Sequence, residues 1–159
     1  MIVDQQSVIP VPADRAWAFI ADIPSISTCL PGVEEFAPAG EDAYAGALRV
    51  KVGPIAVRLQ GRLRVVERDD EHRTSHLELQ ATERRINSTV NARVTLTLAP
   101  LPGDATELHV HTEASILGKL GEFGQAVMRR KADQIMAEFV ANMARKISAS
   151  TEGASGSGS

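Results

Sequence analysis

The spacing of hydrophobic positions changes twice along the chain. Met1–Val11 alternates β-branched with polar residues and predicts an edge strand. Pro12 suits the first turn of a helix, where its missing N–H costs nothing, and Asp14 falls beside the positive end of that helix dipole. Ala16, Trp17, Ile20 and Ile23 recur at helical spacing, so Pro12–Asp22 reads as a short amphipathic helix. Pro24 restarts the pattern, and Ser25–Leu30 predicts a second short helix that Pro31-Gly32 stops.

From Val33 the period is two. Strands are predicted at Val33–Pro38, Ala43–Val52, Ile55–Glu67, Thr74–Glu83, Ile86–Ala99 and Glu107–Leu117, with turns at Gly53-Pro54, Asp69-Asp70-Glu71 and Pro100–Asp104. Connections this short favour antiparallel neighbours in a meander. After Leu117 the helical period returns and runs to about Ser150, enough for one helix of roughly 50 Å. The expected fold is α+β: a curved antiparallel sheet with two short helices and one long C-terminal helix lying across it. Residues 1–150 form the domain, and Thr151–Ser159 reads as a flexible polar tail or linker.

Strand parity sorts the faces. The predicted inward sets include Tyr44, Gly46, Leu48, Val50 and Val52; Ile55, Val57, Leu59, Gly61, Leu63 and Val65; Leu77, Leu79 and Ala81; Ser88, Val90, Ala92, Val94, Leu96 and Leu98; and Leu108, Val110, Thr112, Ala114 and Ile116. On this reading no inward position carries an ionisable acid or base, and general acid–base chemistry needs one within reach of the substrate. Several inward positions are small, which either leaves a void between sheet and helix or lets the helix sit close. The helix also carries Met128, Met136 and Met143, residues that adapt to varied apolar partners but are equally at home in a plain core.

The chain has 159 residues, 43% hydrophobic and 23% charged, with a formal net charge of −3. That is one domain with material for a core, and the charge argues against a general nucleic-acid binder. A single cysteine, Cys29, excludes an intrachain disulfide and a cysteine-based zinc site. The N-terminus lacks the pattern of a secretory signal, and a soluble protein of a reducing compartment is expected. His109 and His111 share the outward face and read as solvated surface residues, so no metal is expected. Gly118, Gly121 and Gly124 open the long helix without the spacing of a phosphate loop; they allow close backbone approach or a mobile gate. Cys29 reads as a buried structural thiol. Arg49, Lys51, Arg58, Arg62, Arg64 and Arg93 share the outward sheet face, where Arg49 falls near Arg58 if Gly53-Pro54 closes a tight hairpin. The face is either solvated among acidic neighbours or meets an anionic membrane surface or acidic partner. Arg129-Arg130-Lys131 makes a second basic patch on the helix.

The arrangement resembles the START-like fold of lipid-transfer domains, polyketide cyclases and birch-pollen-type proteins. The segments CLPGVEEF (29–36), YAGALRVKVGPIAVRLQGRLRVVE (44–67) and GKLGEFGQAVMRRKADQIMAEFVANM (118–143) are similar to the carbon monoxide dehydrogenase CoxG family, over nearly all of residues 1–148. The chain departs from the expected pattern at Ala81–Ile86, where a glycine-rich stretch would fall. The resemblance implies a helix-grip fold around an apolar cavity. It also implies a role beside a molybdenum-containing carbon monoxide dehydrogenase or related hydroxylase, at the inner face of the cytoplasmic membrane, with quinone as the electron acceptor. The expected function is non-enzymatic carriage of an apolar membrane-derived ligand such as menaquinone, with no covalent cofactor. A ligand-free adaptor or maturation factor and a cyclase-like enzyme are the alternatives. Expected lining residues are Trp17, Leu48, Leu59, Leu63, Leu79, Val94, Phe123, Val127, Met128, Ile135 and Phe139, with Tyr44 and Ser88 as polar contacts.

Overall fold

The computed structural model describes residues 1–157, with side chains as far as residue 148. Strand β1 (Ile2–Ile9) leads into helices α1 (Ala13–Ala21) and α2 (Ile23–Ser27). Strands β2 (Val33–Gly40), β3 (Ala43–Val52), β4 (Ile55–Asp69), β5 (Thr74–Glu83), β6 (Ser88–Leu101) and β7 (Ala105–Leu117) follow, and helix α3 (Gly124–Ser157) closes the chain. The polar tail expected at Thr151–Ser159 falls where side chains lie outside the described residues. Among the described residues no helix is long and apolar enough to cross a membrane.

All pairings are antiparallel, in the order β1-β7-β6-β5-β4-β3-β2. The six-strand meander is as expected, and β1 completes the sheet by pairing with β7 along its whole length, Ile2 opposite Glu113 and Ile9 opposite Thr106. The hairpin at Gly53-Pro54 sets the β3–β4 register: Val52 faces Ile55 and Arg49 faces Arg58. Gly53 takes a positive φ of 57° there, which glycine adopts without steric cost.

Boundaries moved where local chemistry outweighed periodicity. Pro12 sits outside α1 as its N-cap, and α2 begins before Pro24. Residues Arg84–Ile86 form a 3-10 turn rather than the start of β6, ended by Asn87 at φ 49°. The largest shift is after Leu117. Lys119–Phe123 is a 3-10 turn, not the first turns of α3. Gly118 (φ 79°, ψ −154°) and Gly124 (φ 82°, ψ 165°) bracket it in backbone conformations that are essentially glycine-only.

The core is in two parts. The larger joins α1, α2, the β1 end of the sheet and the C-terminal half of α3, around Ile9, Trp17, Ile20, Cys29, Leu96, Leu108, Phe139 and Met143. The smaller has three buried residues, Val52, Val57 and Leu120, with Ile55, Ile86, Ile116, Phe123, Val127 and Met128 against them. It sits at the opposite end, where the β3–β4, β5–β6 and β7–α3 connections meet.

Candidate functional site

Between these two cores the inward face of the sheet is only half-buried. Leu48, Gly61, Leu79, Ala81, Val90, Ala92 and Ala114 all face α3 by parity, and none belongs to either core. Two rungs cross this region: Leu63–Leu79–Ala92–Ala114 and Gly61–Ala81–Val90–Ile116. Across from them, Val127, Met128, Ala132, Ile135 and Met136 of α3 are half-buried too. The helix approaches the sheet closely at β1 and β3, strands near opposite edges, and so bridges the curve instead of filling it. Apolar side chains confront one another across an open trough. Unfilled apolar space of this kind forfeits packing contacts, so an apolar guest gains what the fold leaves unused.

Several features hold the trough open. The C-terminal half of α3 is tied to the α1–α2 segment: Asn142 Nδ2 donates to the Cys29 carbonyl at 2.9 Å, Lys146 Nζ to that of Thr28 at 3.1 Å, and Arg15 donates to that of Ile147 at 2.9 Å. Gln5 of β1 donates to Asp133 at 2.9 Å and Arg129 to the Ile2 carbonyl at 3.1 Å. Not every small inward residue makes room for a guest. A Cβ at Gly61 would lie 2.5 Å from the Gln80 carbonyl oxygen, and one at Gly46 would meet Phe36 and Glu34, so these two glycines serve strand approach within the sheet.

The expected lining residues divide. Leu48, Leu79 and Ile135 border the trough outside both cores. Leu63, Val94 and Tyr44 pack on the larger core, with Tyr44 stacked on Phe36 at 5.2 Å between ring centroids. Leu59, Phe123, Val127 and Met128 pack on the smaller. Trp17 and Phe139 are inside the filled core, and the Trp17 indole donates to Asp70 at 2.9 Å. The buried Ser88 hydroxyl accepts the Leu120 N–H at 2.9 Å, so it latches the 3-10 turn.

Glu83 corrects the expectation of an inward face free of acids. It continues the parity of Leu79 and Ala81 and is buried. Its carboxylate accepts from the Arg58 N–H at 2.9 Å and the Arg85 N–H at 3.2 Å, with the Arg85 guanidinium beside it. It occupies the place where the β4 ladder outruns β5. The Arg58 N–H, then the Arg85 side chain, hold its pKa below the usual glutamate range, so it stays ionised. Its lone pairs are turned to backbone, away from the trough.

A second residue escapes the sequence pattern. The basic run on α3 is split three ways: Arg129 is bonded to β1, Arg130 is exposed, and Lys131 is half-buried. Lys131 lies three residues after Met128 and four before Ile135, hence on their side of the helix. A single apolar-to-polar break in the stripe is the signal that marks it.

On the outward face Arg49 and Arg58 do oppose each other, and acids from β2 resolve the repulsion. Glu34 pairs with both, at 3.1 Å from Arg58, and Glu35 reaches Arg58 at 2.9 Å. Arg64 pairs with Glu78 at 2.8 Å, and Arg93 lies in register between Glu78 and Glu113. Two rungs of long side chains, through Arg62–Gln80–Asn91–Ser115 and Arg64–Glu78–Arg93–Glu113, wall an open groove of about 790 Å3. His111 bonds Asp4 at 2.7 Å, which raises the imidazole pKa; Glu113 adds to the shift. Cys29 is a fully buried free thiol whose pKa burial pushes up.

An antiparallel sheet gripping a long helix over an apolar trough defines the START-like class. Solved structures bear the same fold. A conserved protein from Geobacillus kaustophilus matches with a TM-score of 0.85 at 19% identity, over 94% of this chain and 97% of that one. A START superfamily protein from Mycobacterium smegmatis matches at 0.67 with 9% identity, over 92% and 97%. The ZhuI aromatase/cyclase from Streptomyces sp. R1128 matches at 0.65 with 16% identity, over 93% of each. Since an enzyme stands among these neighbours, the fold by itself leaves activity open. Comparison with curated proteins found no match. Residues 6–148 match the model of the carbon monoxide dehydrogenase CoxG family, and the chain belongs to that family.

Proposed function

We propose that this protein is a non-enzymatic carrier for an apolar, membrane-derived ligand. The best fit is a respiratory quinone such as menaquinone, delivered between the cytoplasmic membrane and a carbon monoxide dehydrogenase-type molybdenum enzyme. The observation that carries the reading is the split core: two filled ends with half-buried apolar faces confronting each other between them. An isoprenoid chain suits such a trough, since burying apolar surface gains about 25 cal/mol per Å2. A quinone headgroup needs a hydrogen-bond donor at the trough's side, and Lys131 supplies one on a stem long enough to keep its charge near water. Family membership links the carrier to the dehydrogenase. A quinone accepts electrons from an oxidoreductase and resides in the bilayer, so a carrier between the two has a defined task.

The test is detergent-free purification from a quinone-producing host, native mass spectrometry, and organic extraction of what the protein holds. A quinone at near-stoichiometric occupancy is expected. Preparations that carry no apolar molecule and fail to take up menaquinone from vesicles would overturn the carrier reading and leave a ligand-free adaptor. Turnover of the extracted molecule into a cyclised or hydrolysed product would instead establish an enzyme.

A further inference from the structure

We infer that the end of the molecule formed by the β3–β4, β5–β6 and β7–α3 connections is its docking surface for an anionic lipid bilayer. This deepens the carrier reading and rests on the ligand being membrane-derived. Four cations gather here. Lys51 precedes the β3–β4 hairpin, Arg84 and Arg85 form the β5–β6 turn, and Lys119 opens the turn before α3. The connections are adjacent, because the position of a Cβ on Gly118 falls on the Asn87 carbonyl. Arg49, Lys51, Arg58, Arg84 and Arg85 also line an open groove of about 680 Å3 behind this end.

Charge balance separates this end from the rest of the surface. On the broad outward sheet face, Arg49, Arg58 and Arg64 are ion-paired. At this end, Lys51, Arg84 and Lys119 have no carboxylate within ion-pairing distance among the described residues. Glu83 is turned to backbone and to Arg85, and Glu122 is the exposed acid on the same connection. Apolar groups accompany the cations: Leu117 is 59% exposed, and Ile55, Ile86 and Phe123 are half-buried behind it. Cations ringing exposed apolar side chains are the composition of an interfacial membrane contact. A few residues on three short connections give little of the roughly 800 Å2 per partner that a stable protein interface needs. The same end carries the thinner closure of the trough, the core built on Val52, Val57 and Leu120. A bilayer seated here meets the trough at its weakest seal.

The test is binding of the full chain to vesicles of phosphatidylcholine with and without phosphatidylglycerol, at low and raised ionic strength. Binding is expected only with phosphatidylglycerol and is expected to weaken with salt. Each cation near an anionic surface strengthens binding by about fivefold, so Arg84→Glu/Lys119→Glu lowers it by at least about 30-fold. Arg62→Glu/Arg130→Glu, with the same change in charge, retains it. Leu117→Ser, at an exposed strand position, lowers binding with no change of charge and keeps the test open if charge reversal disturbs the fold. Equal loss in the two double variants, or binding indifferent to phosphatidylglycerol, would overturn the inference. So would absence of vesicle binding by the wild type, which would leave an acidic protein as the partner of these cations. Ligand extraction from the Arg84→Glu/Lys119→Glu variant separates the two claims. Retained quinone with vesicle binding unchanged sinks the docking end alone, whereas an empty wild type that still binds vesicles sinks the carrier alone.

Discussion

Ala92→Leu turns the trough into a measurement of sign. Ala92 lies at the centre of the half-buried inward face, between Leu79 and Ala114 in register and outside both cores. Leucine adds three carbons there. If the space is open, each added carbon gains up to about 0.8 kcal/mol on burial, so the ligand-free protein is stabilised by up to about 2 kcal/mol. For a chain of this length that raises the melting temperature by about 4 to 8 °C. If the helix already packs on the sheet, the same carbons overfill a dense core and cost about 1–3 kcal/mol. Ligand uptake gives the second readout. A ligand at 100 times its dissociation constant stabilises the wild type by about 2.7 kcal/mol, and the added side chain competes for the same volume. Urea titration of delipidated protein, with and without menaquinone in detergent-free vesicles, reads both. The expected pattern is a more stable apo form with a smaller ligand-induced shift. A destabilised apo variant would refute the open trough, and with it the physical basis of the carrier.

Gly118→Ala and Gly124→Ala differ although both glycines hold glycine-only backbone conformations. Strain alone costs about 1–3 kcal/mol at Gly124, where a Cβ meets open space, while at Gly118 the Asn87 carbonyl adds a clash, so urea midpoints should fall further for Gly118→Ala. Glu83→Ala strips the acceptor from the Arg58 and Arg85 N–H groups and destabilises the fold, whereas Glu83→Gln keeps an oxygen there and costs less. Because the folded-state pKa of Glu83 is lowered, its contribution is present above the ordinary glutamate range and is lost as pH falls through the folded value; acid unfolding of the wild type should therefore begin at a higher stability than in Glu83→Ala and converge with it at low pH. Lys131→Met should leave the fold intact and retain affinity for an isoprenoid hydrocarbon while weakening a quinone by about five- to tenfold, the loss of one hydrogen bond, as read by displacement titration; equal loss for both would place Lys131 outside headgroup recognition.

The alternation of residues 33–117 and the turn residues between strands were enough to determine an antiparallel meander, because side chains on a strand must alternate between core and water. The long C-terminal helix and the apolar character of the trough walls were legible for the same reason, since they follow from spacing along one element. The Gly118–Gly124 turn was not, because its glycines fit a helical period and only the approach of the Asn87 carbonyl explains why they are glycine. Glu83 was missed because it ends its strand, where the side chain serves the neighbouring ladder and parity no longer reports environment. The basic sheet face kept two readings open until β2 brought Glu34 and Glu35 across from Arg49 and Arg58. The trough itself is a tertiary quantity. Whether apolar faces touch or stand apart depends on where α3 is tied at its ends, and Cys29, Thr28 and Ile2 are bound to it from more than 110 residues away in sequence.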